Sequence, residues 1–407
     1  MNKNTIPYDV IIIGGGPAGL FTAINIHRNK KCLLLEKNET TGRKLLMSGS
    51  GRCNLTHAGD IEAFLAHYGD HFRFLRTAFK HFSNEDLIQF FKERGLYITV
   101  DKNGKVFPAT DNAVSVLDVL THECKKKQVT IHCRETVLKI EHRDGKFWLE
   151  TKGNEYTCLT LVFATGGKSY PSSGSTGDGY GFAQSLGHTI VPPKPALTPI
   201  YIHHYPFADI SGVSLPMRAM SLFRANKKIK EHAGDIGFTH KGLSGPGILD
   251  FSRFMERNDR LEINLIDVNM ADFTTTFLAA CDTEGKTAIK TFLKRFDLPE
   301  SLLKLILKEL NLDFNEKLAH INKKTRTAII DSLCRYPFVI ESLGGFNMAM
   351  VTRGGIPLTE VSAKTMESKI IKHLFFAGEI LDIDGDTGGY NIQAAFSTAY
   401  LAANAIQ

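Results

Sequence analysis

Residues 8–19 read Tyr-Asp-Val-Ile-Ile-Ile-Gly-Gly-Gly-Pro-Ala-Gly, and 22 residues beyond Gly14 a second apolar run, Cys-Leu-Leu-Leu, ends at Glu36. Val10–Ile13 has the unbroken apolar character of a buried parallel strand. Gly14, Gly16 and Gly19 then fall at GxGxxG spacing, with Pro17 and Ala18 between them and a helical pattern from Leu20. The first glycine permits a tight turn, the second lets backbone approach a pyrophosphate, and the third lets helix pack on strand. The helix N-terminus turns free amides and a positive dipole end toward the phosphates. Glu36, with Lys37 after it, is placed at the second strand tip to accept from ribose hydroxyls, and its charge disfavours a 2′-phosphate. Strand, turn, helix and acid together specify a dinucleotide site for NAD or FAD.

A chain of 407 residues can bury a large core, and its length predicts two or three domains. Its 43% hydrophobic and 23% charged residues describe an ordinary globular protein. No apolar run approaches the roughly 20 residues that span a bilayer, and the first strand starts too early for a signal peptide. A cytoplasmic protein without membrane contact is expected. Seven scattered cysteines, without a CxxC pair, argue against a disulfide framework and a zinc site. His67 and His71 read as positions on a surface helix, so no metal site is expected.

Strand and helix signals alternate to about residue 190: a helical stretch over 72–95, strands near 129–132 and 137–141, a β-meander from 146, and a buried strand over 159–167. Val191–Pro199 packs four prolines into nine residues, which reads as a crossover between domains. Short strand signals follow, then helical periodicity from 271 to 335, then strands again. The pattern predicts an α/β protein with a Rossmann-like domain split in sequence (1–192 and 354–407). A β-barrel-like domain (193–270 and 336–353) is inserted into it and carries a small helical lobe (271–335). Residues 284–330 hold ten Lys or Arg against six Asp or Glu, so +4 of the chain's +6 sits in that lobe. Two readings stay open there: a solvated amphipathic surface, or a contact for nucleic-acid phosphates.

The other end of the chain decides the cofactor. Leu374-Phe-Phe-Ala-Gly-Glu379 is a strand delivering Gly378 and Glu379 to a glycine-rich loop, Asp386-Thr-Gly-Gly-Tyr-Asn391, where a helix opens with Ile392. An acid at that point reaches a ribityl or pyrophosphate-linked hydroxyl, and the helix amides face the pyrimidine end of a flavin. With Ala164-Thr165-Gly166, this resembles the FAD pattern of two-dinucleotide-domain flavoproteins. No second GxGxxG occurs in 168–350, so NAD(P)H is expected only as a transient electron donor. The segment Gly42–Thr56 contributes Arg43, Lys44, Gly51, Arg52 and Asn54 as cofactor contacts, and Val137 is a further one. Cys53 has Arg52 beside it to stabilise a thiolate; it reads as a catalytic acid or as a small packing residue. His240, in Phe238-Thr-His-Lys-Gly-Leu-Ser-Gly-Pro, reads as a proton-transfer group or as a holder of its own turn.

These segments together with Ala164–Gly181 (ATGGKSYPSSGSTGDGYG), Val351–Gly355 and Thr365–Lys369 resemble the BaiN/RdsA-type, or aminoacetone-oxidase-like, FAD-dependent oxidoreductases of bacteria. The resemblance runs the length of the chain, with one departure, His373, where a glycine is expected. It implies a split FAD domain, a barrel-like insert and a helical lobe. It also implies reduction of an activated C=C bond, either in a uridine of large-subunit ribosomal RNA or in a small enone, steroid or amine. A third reading is an RNA-associated flavoprotein without turnover.

Overall fold

The computed structural model describes residues 5–406 and divides them into two units, residues 5–196 with 349–406, and residues 197–348. In the first unit, β1 (Thr5–Ile13) leads into α1 (Pro17–Asn25) and returns as β2 (Cys32–Leu35). The strands pair in parallel, Ile13 opposite Leu35. On the other flank of β1 lies the long strand Glu155–Phe163, also parallel. That long strand has a divided outer edge. Its first half takes the antiparallel Lys146–Thr151, and its second half takes the parallel Leu374–Phe376. Chain segments more than two hundred residues apart therefore sit side by side in one seven-stranded sheet. Val10, Ile11, Ile12, Leu33, Leu34, Leu161 and Val162 are all buried, as parallel strands covered on both faces must be. The carboxyl ends of β1, β2, Glu155–Phe163 and Leu374–Phe376 all open on one edge, where ligands bind in open α/β sheets.

The second unit is a closed six-stranded barrel. Ile200–Ile202, Gly242–Ser244, Lys227–Phe238, Ser214–Arg224, Arg260–Ile263 and Tyr336–Leu343 pair in that order, and the last returns to the first. Closure leaves no free sheet edge. The helices Met270–Thr283, Ile289–Leu293, Glu300–Glu309 and Lys323–Cys334 share the barrel unit's core. A cluster of Phe273, Phe277, Phe292 and Phe296 rings holds three elements of that lobe together.

Three local expectations are corrected. The proline-rich Val191–Ala196 is a strand, paired antiparallel with Val351–Gly355 in a two-stranded ribbon of the first unit. Each strand of such a ribbon has an edge that needs no partner, and a register shift between Val191 and Lys194 absorbs Pro192 and Pro193. The helical stretch 72–95 is two helices, Phe72–His81 and Asn84–Lys92. Ser83 breaks it, because its side chain accepts from Asp86 N–H while the Asp86 carboxylate accepts from Ser83 N–H, a capping box. His67 and His71 do not share a helix face. They flank a kinked turn at Gly69, and His67 Nδ1 lies 2.9 Å from Asp386.

Candidate active site

The turn from β1 to α1 shows why its glycines are glycines. Gly14 has φ +110°, and a Cβ there would lie 2.3 Å from the Ala164 carbonyl oxygen. A Cβ on Gly19 would lie 1.8 Å from the Gly14 carbonyl oxygen, so helix and turn touch only because it is absent. Gly16 caps α1 without a side-chain bond and has nothing within 4 Å of its Cβ position. The amides of Ala18 and Gly19, in the first turn, have no intrahelical acceptor.

This turn forms one wall of a cleft at the carboxyl edge of the sheet. Glu36 lies in the cleft wall, nearly buried. Its Oε2 accepts from Gly15 N–H (2.7 Å) and its Oε1 from the backbone and side-chain amides of Asn38 (2.8 and 2.7 Å). The β2 tip is in turn fastened to the loop 173–178. Asn38 donates to the Ser173 carbonyl (3.1 Å), and the Lys37 ammonium pairs with Asp178 and Thr176. Arg43 donates to Asn38 Oδ1 (3.0 Å) from the exposed side. At the other wall Lys44 pairs with Glu379 (2.6 Å), whose second oxygen accepts from Thr352 N–H (2.7 Å).

A second helix N-terminus meets the same cleft. The last helix, Tyr390–Ala405, is capped by Gly389 at φ +96° with no side-chain bond, and its Asn391 and Ile392 line the cleft. The Asn391 amide clamps the preceding loop, accepting from Gly385 N–H (2.8 Å) and donating to the Gly385 carbonyl (2.9 Å). Gly389 also packs on Thr56, its Cβ position 2.5 Å from the Thr56 carbonyl oxygen. The Asn54 side chain lies 3.0 Å from that oxygen and 3.1 Å from Gly389 N. The 42–56 and 386–391 segments are thus brought together.

Of the residues expected at the cofactor, Gly14, Gly16, Pro17, Ala18, Glu36, Lys37, Arg43, Lys44, Val137, Ala164, Thr165, Gly166, Gly378, Glu379, Asn391 and Ile392 line the cleft. Gly19, Gly51, Arg52, Asn54, Asp386, Gly389 and Tyr390 do not; they shape or support its loops. The sequence reading missed Asn38, Glu135, Thr136, the run Ser173–Thr176 and Asp178. The Ser-Gly-Ser-Thr-Gly-Asp run had the composition of a ligand loop, whereas Glu135 and Thr136 carried no signal.

Two expectations about chemistry are corrected. Arg52 does not attend Cys53; its guanidinium pairs with Asp111 (2.6 Å) and lies over the Phe107 ring. Cys53 is fully buried, outside the cleft lining, and burial pushes its thiol up to about 12. It is a neutral packing group at φ +61°. The turn around His240 is held by Thr239, whose amide and hydroxyl both donate to the Gly242 carbonyl (2.9 Å each). The exposed His240 ring has no partner among the described residues.

A cleft with two uncapped helix N-termini and the acid Glu36 in its lining suits FAD. Thr165 Oγ1 is buried against Gly179, 2.0 Å from that residue's Cβ position, and has no hydrogen-bond partner among the described residues. No group of His, Cys, Asp and Glu suited to a metal occurs among the described residues, and no helix there is long and apolar enough to cross a membrane.

The family described as the HI0933-like protein Rossmann domain matches residues 8–405. The chain belongs to the HI0933-like family. A curated HI0933-like relative in Haemophilus influenzae, named ribosomal RNA dihydrouridine synthase, is 32% identical over 97% of this chain and 98% of its own. One of the same name in Escherichia coli is also 32% identical, over 97% of both chains. The 3-dehydro-bile acid delta(4,6)-reductase of Clostridium scindens is 30% identical over 97% of this chain and 98% of its own. Among solved structures, Escherichia coli quinol fumarate reductase shares the fold at TM-score 0.53 and 17% identity, over 99% of this chain and 70% of that one. The Sdh1 complex of Mycobacterium smegmatis does so at 0.53 and 16%, over 99% and 68%. This HI0933-like chain is a flavoprotein oxidoreductase with a Rossmann-type FAD-binding domain.

Proposed function

We propose that the protein reduces an activated C=C bond with FAD, and that its substrate is a uridine of large-subunit ribosomal RNA. The observation that carries this reading is full-length similarity to relatives named ribosomal RNA dihydrouridine synthase and 3-dehydro-bile acid delta(4,6)-reductase, joined to a cleft whose residues fit FAD. Bound FAD, once reduced by an electron donor, would supply a hydride to such a bond. The first-turn amides of α1 would receive the pyrophosphate and Glu36 the ribose. The amides opening Tyr390–Ala405 stabilise negative charge that builds on reduction. Lys44, fixed in the cleft lining by its ion pair with Glu379, has further N–H groups to donate to the cofactor. The substrate gains hydride at uracil C6 and a proton at C5. In this reading the proton comes from a group other than Cys53, which is buried outside the cleft lining. NAD(P)H serves as electron donor in this reading, and the basic lobe 284–330 contributes phosphate contacts.

Mass-spectrometric quantification of dihydrouridine in ribosomal RNA, with and without the gene, tests the reading. One dihydrouridine is expected to vanish on deletion and return with the wild-type gene but not with Gly19→Val. An unchanged profile hands the lead to a small enone or steroid substrate, the reading favoured by the bile-acid reductase relative.

A further inference from the structure

We infer that Lys286, Lys317, Lys323 and Lys324 form one phosphate-binding face of the helical lobe, and that the partner of this face is folded ribosomal RNA. The inference deepens the reading above and rests on it for the identity of the RNA. Ion pairing sorts the lobe's charges into two groups. Glu284 is taken by Arg295 at 2.5 Å, and Glu300 by Lys294 and Lys304 at 3.1 and 2.8 Å. Glu316 accepts from His320 (3.0 Å) and from the backbone amide of Lys317 (3.1 Å), while Asp282 faces Arg326 at 3.8 Å. The four lysines are exposed and have no ion-pair partner among the described residues. Pairing thus neutralises Glu284 and Glu300; among the described residues Asp297, Glu309 and Asp313 make no ion pair, and no acid of the lobe lies within ion-pair distance of these four lysines.

The backbone draws them together. Ala288 and Lys317 are antiparallel bridge partners, and Ala319 N–H donates to the Gly285 carbonyl at 3.1 Å. The turn carrying Lys286 therefore lies against the segment carrying Lys317. Lys323 and Lys324 begin the helix Lys323–Cys334 four residues after Ala319. Leu318 and Ile321, buried between these positions, pin the backbone to the core. The arrangement is held in place before any partner arrives.

It also works against the lobe's own stability. Lys323 and Lys324 occupy the first turn of their helix, with no acid there, although the dipole favours anions at that end. A surface serving solubility alone is met more cheaply by Asp or Glu at those positions. A polyanion relieves the repulsion and releases its own counterions as it binds. Lysines are point charges without the planar fork that reads bases, so the face fixes position and not sequence.

The test uses FAD-loaded protein and a transcript of the host's large-subunit ribosomal RNA, with affinity measured by fluorescence anisotropy across a salt series. Replacing all four lysines with Gln should weaken binding on the order of 100-fold at low salt and flatten the log–log salt slope by roughly 3. Lys308→Gln, an exposed lysine elsewhere on the lobe, should change neither. The melting temperature of the quadruple variant should hold or rise, which separates lost contacts from lost fold. An unchanged slope, or wild-type protein without salt-dependent RNA binding, overturns the inference. So does lost binding to phosphatidylglycerol vesicles with RNA affinity intact. Wild-type binding through this face with no dihydrouridine formed in the cell supports the face and overturns the proposed reaction instead.

Discussion

Gly19 is fixed by a distance: 1.8 Å from a would-be Cβ to the Gly14 carbonyl oxygen cannot be relieved without moving α1 off its strand. Gly19→Ala should destabilise the protein by roughly 1–3 kcal/mol and lower the flavin content of purified protein, read as the ratio of flavin to protein absorbance. Thr165 tests packing. Its buried hydroxyl has no protein partner among the described residues, so the near-isosteric Thr165→Val should hold or raise the melting temperature and leave FAD affinity in calorimetry unchanged; a fall in either would show that the hydroxyl is engaged. At this scale the sequence was readable wherever a residue's need is local. The glycines and Glu36 declare themselves by spacing. Cys53 did not, because its burial is set by packing between distant segments, and a neighbouring Arg52 in sequence says nothing about where a guanidinium points.

Among elements, the least legible were those held by long-range side-chain bonds. The buried His188 ring joins the end of the Asp178–Ser185 helix region to the segment 358–371, with Nδ1 at 2.8 Å from Glu360 and Nε2 at 2.9 Å from Ser368. Ser368 Oγ already accepts from the amides of Ile370 and Ile371 (3.0 and 2.9 Å), so it donates its proton to His188. The three residues resemble a hydrolytic triad, yet the serine's acceptor sites are filled by backbone and the histidine is buried, so they act as a structural clasp. Burial holds the His188 ring below its ordinary 6.5, against the pull of Glu360. The unfolded chain takes up a proton near 6.5 that the folded chain refuses, so stability is full above that value and falls as pH drops through it. Melting temperatures from pH 8 to 5 should show this decline in the wild type and lose that component in His188→Asn. A parallel decline in both would remove the clasp from the explanation. The Val191–Ala196 strand was hidden for the opposite reason: its prolines forbid a sheet interior, and only a two-stranded ribbon accommodates them.

For the whole molecule, the alternation of strand and helix, the glycine turn at one end and the strand–loop–helix at the other made an interrupted nucleotide fold readable. Both flanks of the interruption carry chemistry that needs a common cleft. The closed barrel was less so, since strand order around it depends on pairings such as Tyr336–Leu343 with Ile200–Ile202, well over a hundred residues apart. The chain leaves the first unit after Ala196 and re-enters at Ala349, and Ala196 and Val351 are direct partners in the ribbon. Two ends that already face each other across a ladder need only a short turn to be joined. To the rest of its unit, the ribbon is therefore a socket. In evolutionary terms, whatever lies between its strands can be lengthened, rebuilt or exchanged without disturbing the nucleotide cleft. Relatives with one flavin fold and substrates as different as a ribosomal uridine and a bile acid are what such a socket would be expected to produce.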